Sequence, residues 1–382
     1  MYSIAGFGEM IADSVRMDAY ARALRQSVRP GSAVLDIGTG TGILAMIACQ
    51  CGAARVYAID PSDAVQIALD AVRDNGFSDR VVVIQKRSAD LTLPERVETI
   101  VSDIRGILPP LGRNLLDLVD ARERFLSSGG RLVPRSDSLW ASLAEFPDRH
   151  AKILSPWLGD RFGLNLRSGA RYVQNTWVKV RASASELLAP PSKWAELDYA
   201  SLAAPRVHGG GELRVSRTGV AHGLVLWFDT ELAEGIGFSN APGGPELIYG
   251  QAFFPWPESV AVREGDVVGY QVRADLVGSE YVWTWDSTLR RGAGATGADV
   301  RFRQSTFLGA PFTKETLARR SPSRSPGLGQ EGLIARTSLD RMRAGASLDE
   351  LAQELHREHP DRFRSRQEAL DFASDLSSRY GR

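Results

Sequence analysis

Four short apolar runs in the first third of the chain each lead to a carboxylate. They are Val34 to Ile37, with Asp36 inside its end; Arg55 to Ile59, ending at Asp60; Val81 to Gln85, followed by Asp90; and Val97 to Ser102, ending at Asp103. Runs of this length with little alternation mark strands buried on both faces, as in a parallel sheet. The first run passes through Gly38-Thr39-Gly40-Thr41-Gly42 into helix formers, Ile43 to Gln50. Strand, glycine turn and helix predict a doubly wound α/β sheet with its ligand at the strand tips. Ahead of it, Gly8 to Tyr20 reads as a helix with Met10, Val15 and Met17 among its apolar positions.

After residue 134 the pattern changes. Ser138 to Leu143, Gln174 to Val180, Glu212 to Ser216, Ala221 to Phe228, Val260 to Val262, Val267 to Ala274 and Tyr281 to Trp285 read as strands between turn residues. Many short strands with turn signals predict a sandwich or barrel. Ser321 to Gly329 is a linker by composition. Helices are expected at about 331–344, 347–359 and 365–380; Ser347 and Ser365 each precede an acid by three residues, the capping-box spacing. His356 and His359 read as solvated histidines. The expected divisions are an N-terminal helix (1–30), an α/β domain (31–134), a β domain (135–318), a linker (319–332) and a helical module (333–382).

Composition narrows the function classes. The 382 residues have a formal net charge of zero, with 24% charged, so no global field draws the chain to nucleic acid or an acidic membrane. No apolar run is long enough to span a bilayer, and the first residues carry no basic end with an apolar core. Only Cys49 and Cys51 are present, which argues against a disulfide framework or zinc site and for a cytoplasmic protein.

The strand tips carry the candidate chemistry. The glycine turn reads D-x-G-x-G-x-G, not the dinucleotide pattern G-x-G-x-x-G. Asp36 would repel a pyrophosphate and suits a cationic amine. Asp60 is placed to accept from both ribose hydroxyls, Asp90 from an adenine amino group, and Asp103 faces the reaction. Gly38, Gly40 and Gly42 give the close backbone approach. Together these suit S-adenosylmethionine. The plainer alternative is that the acids only cap strands or helices.

On these residues the chain resembles the protein arginine methyltransferases. Glu9-Met10-Ile11-Ala12-Asp13-Ser14-Val15-Arg16-Met17-Asp18-Ala19-Tyr20 is similar to the family's EMLxDxxRxxxY helix, and Val34 to Leu44 to its VLDVGSGTGIL. Ala58-Ile59-Asp60 sits where the family has its ribose-binding acid, and Gly129 to Pro134 resembles its GGxxxP segment. The resemblance covers roughly residues 2–310. It implies a Rossmann-like class I methyltransferase domain followed by a β-barrel domain, with S-adenosylmethionine as cofactor. Arg16 would pair with the methionine carboxylate, and Met10, Pro61, Ala89 and Ser102 would line the same site. Trp157 to Tyr172 would be the arm that grips a second subunit of a homodimer; an ordinary barrel loop is the alternative.

The resemblance breaks at the acceptor. The family holds a guanidinium between two glutamates and has a Thr-His-Trp segment in its barrel. Here the first position is Asp103, the second falls at or near Gly112, and Leu247 to Gln251 contains no histidine. One acid with Arg105 and Arg113 is the wrong lining for a cation. The reading that follows is O-methylation of a carboxylate on a peptide or peptide-derived natural product, gripped by an Arg105–Arg113 fork beside Asp103. Two alternatives stay open: an arginine N-methyltransferase with a compensated site, and a non-catalytic dimeric binder of the cofactor. The C-terminal helices would hold the rest of a peptide, or serve as a packing appendage.

Overall fold

The structure is a computed structural model and describes residues 3–292 and 298–381. It divides into two units, Met1–Pro311 and Phe312–Arg382.

The first unit opens with two helices, α1 (Ile4–Ala12) and α2 (Ser14–Ser27), where one was expected over 8–20. The break is Asp13. Its carboxylate accepts from the Arg16 amide at 3.1 Å and so caps α2, while its other oxygen accepts from the Ile248 amide at 2.9 Å. A short acid that can satisfy the first free amides of a helix favours a start there over continuation through it.

Next come β1 (Ala33–Ile37), α3 (Ile43–Gln50), β2 (Arg55–Ile59), α4 (Val65–Asp74), β3 (Val81–Ile84), β4 (Val97–Ser102), α5 (Asn114–Phe125) and β5 (Leu126–Val133). All five strands are parallel, in the order β3-β2-β1-β4-β5. Every residue of β1 is buried, as expected for the central strand of a sheet covered on both faces. The register sets Ile37 beside both Ile59 and Ser102, so the tips of β1, β2 and β4 lie level. The strand order reverses between β1 and β4, which opens a crevice at those tips.

The β domain follows: β6 (Ser136–Ala144), α6 (Pro147–Leu158), a hairpin of β7 (Asp160–Arg161) and β8 (Leu164–Asn165), α7 (Ala170–Val173), β9 (Val178–Val180), β10 (Ser192–Asp198), β11 (Val207–Arg214), β12 (Gly219–Ala233), β13 (Ile236–Ser239), β14 (Gln251–Val262), β15 (Val267–Val277), β16 (Glu280–Arg290), β17 (Val300–Ser305) and α8 (Thr306–Gly309). One antiparallel sheet runs β10-β6-β12-β14-β9, with β13 beside β12; the other runs β11-β15-β16-β17. Buried polar links join them. Gln304, which accepts from the Trp285 indole of its own sheet at 2.9 Å, donates across to the Pro255 carbonyl at 2.7 Å, and the Trp256 indole donates across to Ser287 at 3.1 Å. The expected strand from Gln174 shrinks to Val178–Val180. Its first residues instead turn, because the Asn175 amide group donates to the Arg171 carbonyl at 2.7 Å and accepts from the Ser305 amide at 2.9 Å. Within the segment read as an arm, Phe162 is 98% exposed and Leu158, Leu164 and Leu166 are exposed as well.

The second unit holds α9 (Lys314–Arg319), α10 (Gln330–Arg343), α11 (Leu348–Glu358) and α12 (Arg366–Tyr380). Ser347 and Glu350 form the expected capping box, and the Ser365 side chain caps α12. Ile334, Leu351, Leu355, Phe363 and Ala373 make a small core. His356 is not simply solvated: its Nδ1 lies 2.9 Å from the Phe363 carbonyl. Among the described residues no helix is long and apolar enough to cross a membrane.

Candidate functional site

Asp103, one residue past β4, is the focus of the crevice. Capping by Asp13 fixes the start of α2, and Arg16 and Tyr20, four residues apart, then share one face of the helix. The Arg16 Nη1 pairs with Asp103 Oδ2, and its Nη2 donates to the Met10 carbonyl. The Tyr20 hydroxyl lies 3.0 Å from both the Ser102 carbonyl and Asp103 Oδ1. From the β domain the Tyr249 hydroxyl donates to the same Oδ1 at 2.7 Å. Burial pushes both phenols well above their ordinary range. They therefore stay protonated and can donate to the carboxylate.

Two cavities meet at this carboxylate. One, of about 280 Å³, is lined by Phe7, Met10, Gly38, Asp60, Pro61 and Asp103 among others. The other, of about 300 Å³, includes Asp103, Leu111, Trp177, Lys179, Ile248 and Tyr249 in its wall. Met10, Asp103, Arg105 and Leu111 belong to both.

The first cavity has features that fit a nucleoside with a methionine-like tail. A Cβ on Gly38 would lie 2.2 Å from the Ile104 side chain, and one on Gly40 2.8 Å from the Phe7 ring. Both residues have positive φ, so the turn must be bare backbone. Asp60 is held at the β2 tip by the Gly40 amide at 3.1 Å and by the Ser62 amide and hydroxyl at 2.8 and 2.6 Å. A carboxylate offers about four acceptor directions; three are taken here, which leaves one for a ligand hydroxyl. Arg16 Nε and the Ser102 hydroxyl are buried without a partner among the described residues, but neither residue lines this cavity, where both were expected.

Several expected site residues lie elsewhere. Asp36 is fully buried beneath the turn, accepting from the Thr39 hydroxyl at 2.6 Å, and does not line the cavity. Burial pushes its carboxyl up to about 7, against the hydrogen bonds from Thr39 and Ala45. Gly42 starts α3 and packs on Ala68. Ala89 and Asp90 are exposed on a single turn after β3 and line neither cavity.

The arginine fork is not assembled. Arg105 is 7% exposed, and its Nη1 donates to Asp137 on β6 at 3.0 Å. Its guanidinium also lies over the Phe228 and Phe238 rings. Burial, the largest influence, would lower its pKa, but Asp137 together with Tyr20, Tyr199 and Tyr249 outweighs it and holds it charged. Arg113 lines neither cavity and lies 3.8 Å from Asp117. The two arginines thus have separate partners: Arg105 has Asp137, 32 residues away, with Asp103 Oδ1 at 3.7 Å from its Nε, and Arg113 has Asp117. The sequence reading missed Tyr20, Asp137, Trp177, Lys179 and the placement of Tyr249. Only Tyr20 carried a local signal, its spacing from Arg16.

The family description "Ribosomal protein L11 methyltransferase (PrmA)" matches residues 20–138, and "Arginine methyltransferase oligomerization subdomain" matches residues 137–278. A Probable protein arginine N-methyltransferase 6 of Arabidopsis thaliana is 37% identical over 151 residues, 39% of this chain and 35% of that one. Protein arginine N-methyltransferase 6 of Xenopus laevis is 30% identical over 278 residues, 68% of this chain and 81% of that one. The chain thus spans about a third of the length of the Arabidopsis relative, and it spans 58% of a rice relative. Among solved structures, the Trypanosoma brucei PRMT1 enzyme-prozyme heterotetrameric complex with AdoHcy matches with a TM-score of 0.71 at 19% identity, over 78% of this chain and 97% of that one. Arabidopsis thaliana protein arginine methyltransferase 10 matches with a TM-score of 0.70 at 21% identity, over 80% and 98%. With both halves matched and the Xenopus relative covered over most of its length, the chain belongs to the protein arginine methyltransferase family of S-adenosylmethionine-dependent methyltransferases.

Proposed function

We propose that the chain transfers the methyl group of S-adenosylmethionine to a nitrogen of an arginine guanidinium, held by one carboxylate in place of the family's two. The observation that carries this reading is the position of Asp103, shared by both cavities, while Arg105, whose Nε lies 3.7 Å from Asp103 Oδ1, commits its Nη1 to Asp137. A carboxylate acceptor would meet Asp103 as a like charge, which disfavours it. The reading of a carboxylate O-methyltransferase rested on an Arg105–Arg113 fork, and that support is gone.

The bound cofactor supplies an activated methyl on a sulfonium. The protein's part is alignment and exclusion of water. Asp103 would accept from the guanidinium, and Tyr249, whose proton is engaged on Asp103, keeps oxygen lone pairs for a second N–H. Trp177 and Leu111 would cover the alkyl stem. The N–CH3 bond forms as the S–CH3 bond breaks, and the nitrogen then loses a proton to solvent. On the cofactor side the bare Gly38–Gly40 backbone would meet the methionine part, and Asp60 the ribose. The exposed leucines and Phe162 of residues 157–172 belong to a homodimer contact in the same reading. Deleting 160–166 should turn a dimer into a monomer by light scattering, and an intact chain that is already monomeric would remove the contact.

The test of activity is to incubate the chain with labelled S-adenosylmethionine and an arginine-rich peptide, then hydrolyse the product to amino acids. Methylarginine is expected. A base-labile ester without methylarginine would overturn the reading. Cofactor binding without any product would favour a second reading, a non-catalytic member of a complex, which the missing second acid at Gly112 supports. In the same preparation, Asp60→Ala should weaken S-adenosylhomocysteine binding by about 1.5–3 kcal/mol, the cost of lost bonds to a charged acceptor. Unchanged calorimetric affinity would take Asp60 out of the site.

A further inference from the structure

Another, half-open cavity of about 680 Å³ lies away from this chemistry. It is lined at the amino ends of β4 and β5, by Arg96 and by Leu126 to Ser128, and at the carboxyl end of α2. The candidate site is at the opposite ends of β4 and α2. Four arginines face the cavity (Arg96, Arg122, Arg131 and Arg135), against one acid, Glu234.

The four are not equivalent. Arg122 and Arg135 lie near carboxylates, Glu123 at 3.4 Å and Glu231 at 3.3 Å. Among the described residues Arg96 and Arg131 form no ion pair. Both are instead anchored through backbone carbonyls. Arg96 donates to Leu126 at 2.6 Å and Glu123 at 3.3 Å; Arg131 donates to Gln26 at 2.6 Å and Ser27 at 3.2 Å. A carbonyl fixes the direction of a guanidinium without cancelling its charge. Arg131 has its Nε and Nη2 left over, and Arg96 its Nε. Ser127 and Ser128 add hydroxyls on the same wall, and Leu126, Leu132 and Ala233 give an apolar side.

We propose that this cavity is a binding site for a phosphorylated small molecule of about nucleotide size. Pre-aimed guanidiniums match the planar, multi-oxygen geometry of a phosphate better than an ammonium does. The volume is in the range of small-molecule sites, where a few polar groups orient a ligand against an apolar wall. The site does not depend on the methyl acceptor.

The experiment uses the full chain saturated with S-adenosylhomocysteine, so that the cofactor cavity is closed to the probe. Uridine 5′-monophosphate, uridine and citrate are titrated by calorimetry at matched ionic strength. Uridine 5′-monophosphate should bind saturably and uridine should not. Arg131→Ala and Arg96→Ala should each weaken it by about tenfold or more, the scale of one charged hydrogen-bonded contact. Because Arg131 also holds the end of α2, Ser128→Glu provides a second variant that removes no anchor; its added charge should weaken binding by a similar factor. No saturable binding, equal binding by the Arg96 and Ser128 variants, or tighter binding of citrate would each overturn the proposal.

Discussion

Asp103→Asn should lower turnover by about 100- to 1,000-fold, the range seen when one preorganised charge-stabilising group is removed from an active site. The substitution keeps the side chain's shape but deletes the charge shared by both cavities and turns one of its two accepting oxygens into an N–H donor. It also removes the ionic partner of Arg16, a residue only 3% exposed, so about 1.5–3 kcal/mol of stability should go with it. The two losses are separable. Turnover is measured at saturating cofactor and peptide, below the unfolding transition, and stability by urea denaturation. Turnover within about threefold of the parent chain would mean that Asp103 only holds α2 in place.

Why Asp103 could be found in the sequence, while its neighbours could not, follows from the distances along the chain. A buried parallel strand must be apolar, and an acid at its end stands out, so Asp60 and Asp103 were visible at the tips of β2 and β4. The same logic overreached at Asp36 and Asp90. Position near a strand tip does not say which way a side chain turns, and Asp36 is buried beneath the glycine turn, bonded to Thr39. Asp90 sits on a turn that Arg124 of α5 holds through the Ser88 and Leu91 carbonyls, outside the reach of a local pattern. The fold class was legible because period and glycine placement are local. The lining of the acceptor cavity was not, because Trp177, Lys179 and Tyr249 come from β-domain segments more than 70 residues beyond Asp103. Electrostatic reasoning about Arg105 failed for the same cause. Its charge was counted as free while its partner, Asp137, lay in a different domain.

That partner makes the second large prediction. Arg105 and Asp137 are both buried, at 7% and 0% exposure, and the Tyr199 hydroxyl also donates to Asp137. Burial and the Asp137 charge push the Tyr199 phenol well above its usual range, so it remains a donor. Removing one member of such a pair leaves a charge without water or a partner, and Arg105→Ala should cost about 3–5 kcal/mol. Asp137→Ala should cost less, because Asp103 Oδ1, 3.7 Å from the Arg105 Nε, remains as a partner for the guanidinium. The triple change Arg105→Met, Asp137→Leu and Tyr199→Phe removes the charges and the donor together. It should recover most of the loss, since well-packed apolar groups commonly replace a buried ion pair at little or no cost. A substrate-gripping Arg105 predicts something different. Then Arg105→Ala would unfold at the same urea concentration as the parent chain and lose only turnover. That outcome would return Arg105 to the acceptor site and with it the case for an anionic substrate. A large loss of stability, recovered in the triple variant, would instead fix Arg105 as the tie between the loop after β4 and strand β6. In that case Arg105 is committed to the fold, and Asp103 is the one acid in the wall of the acceptor cavity.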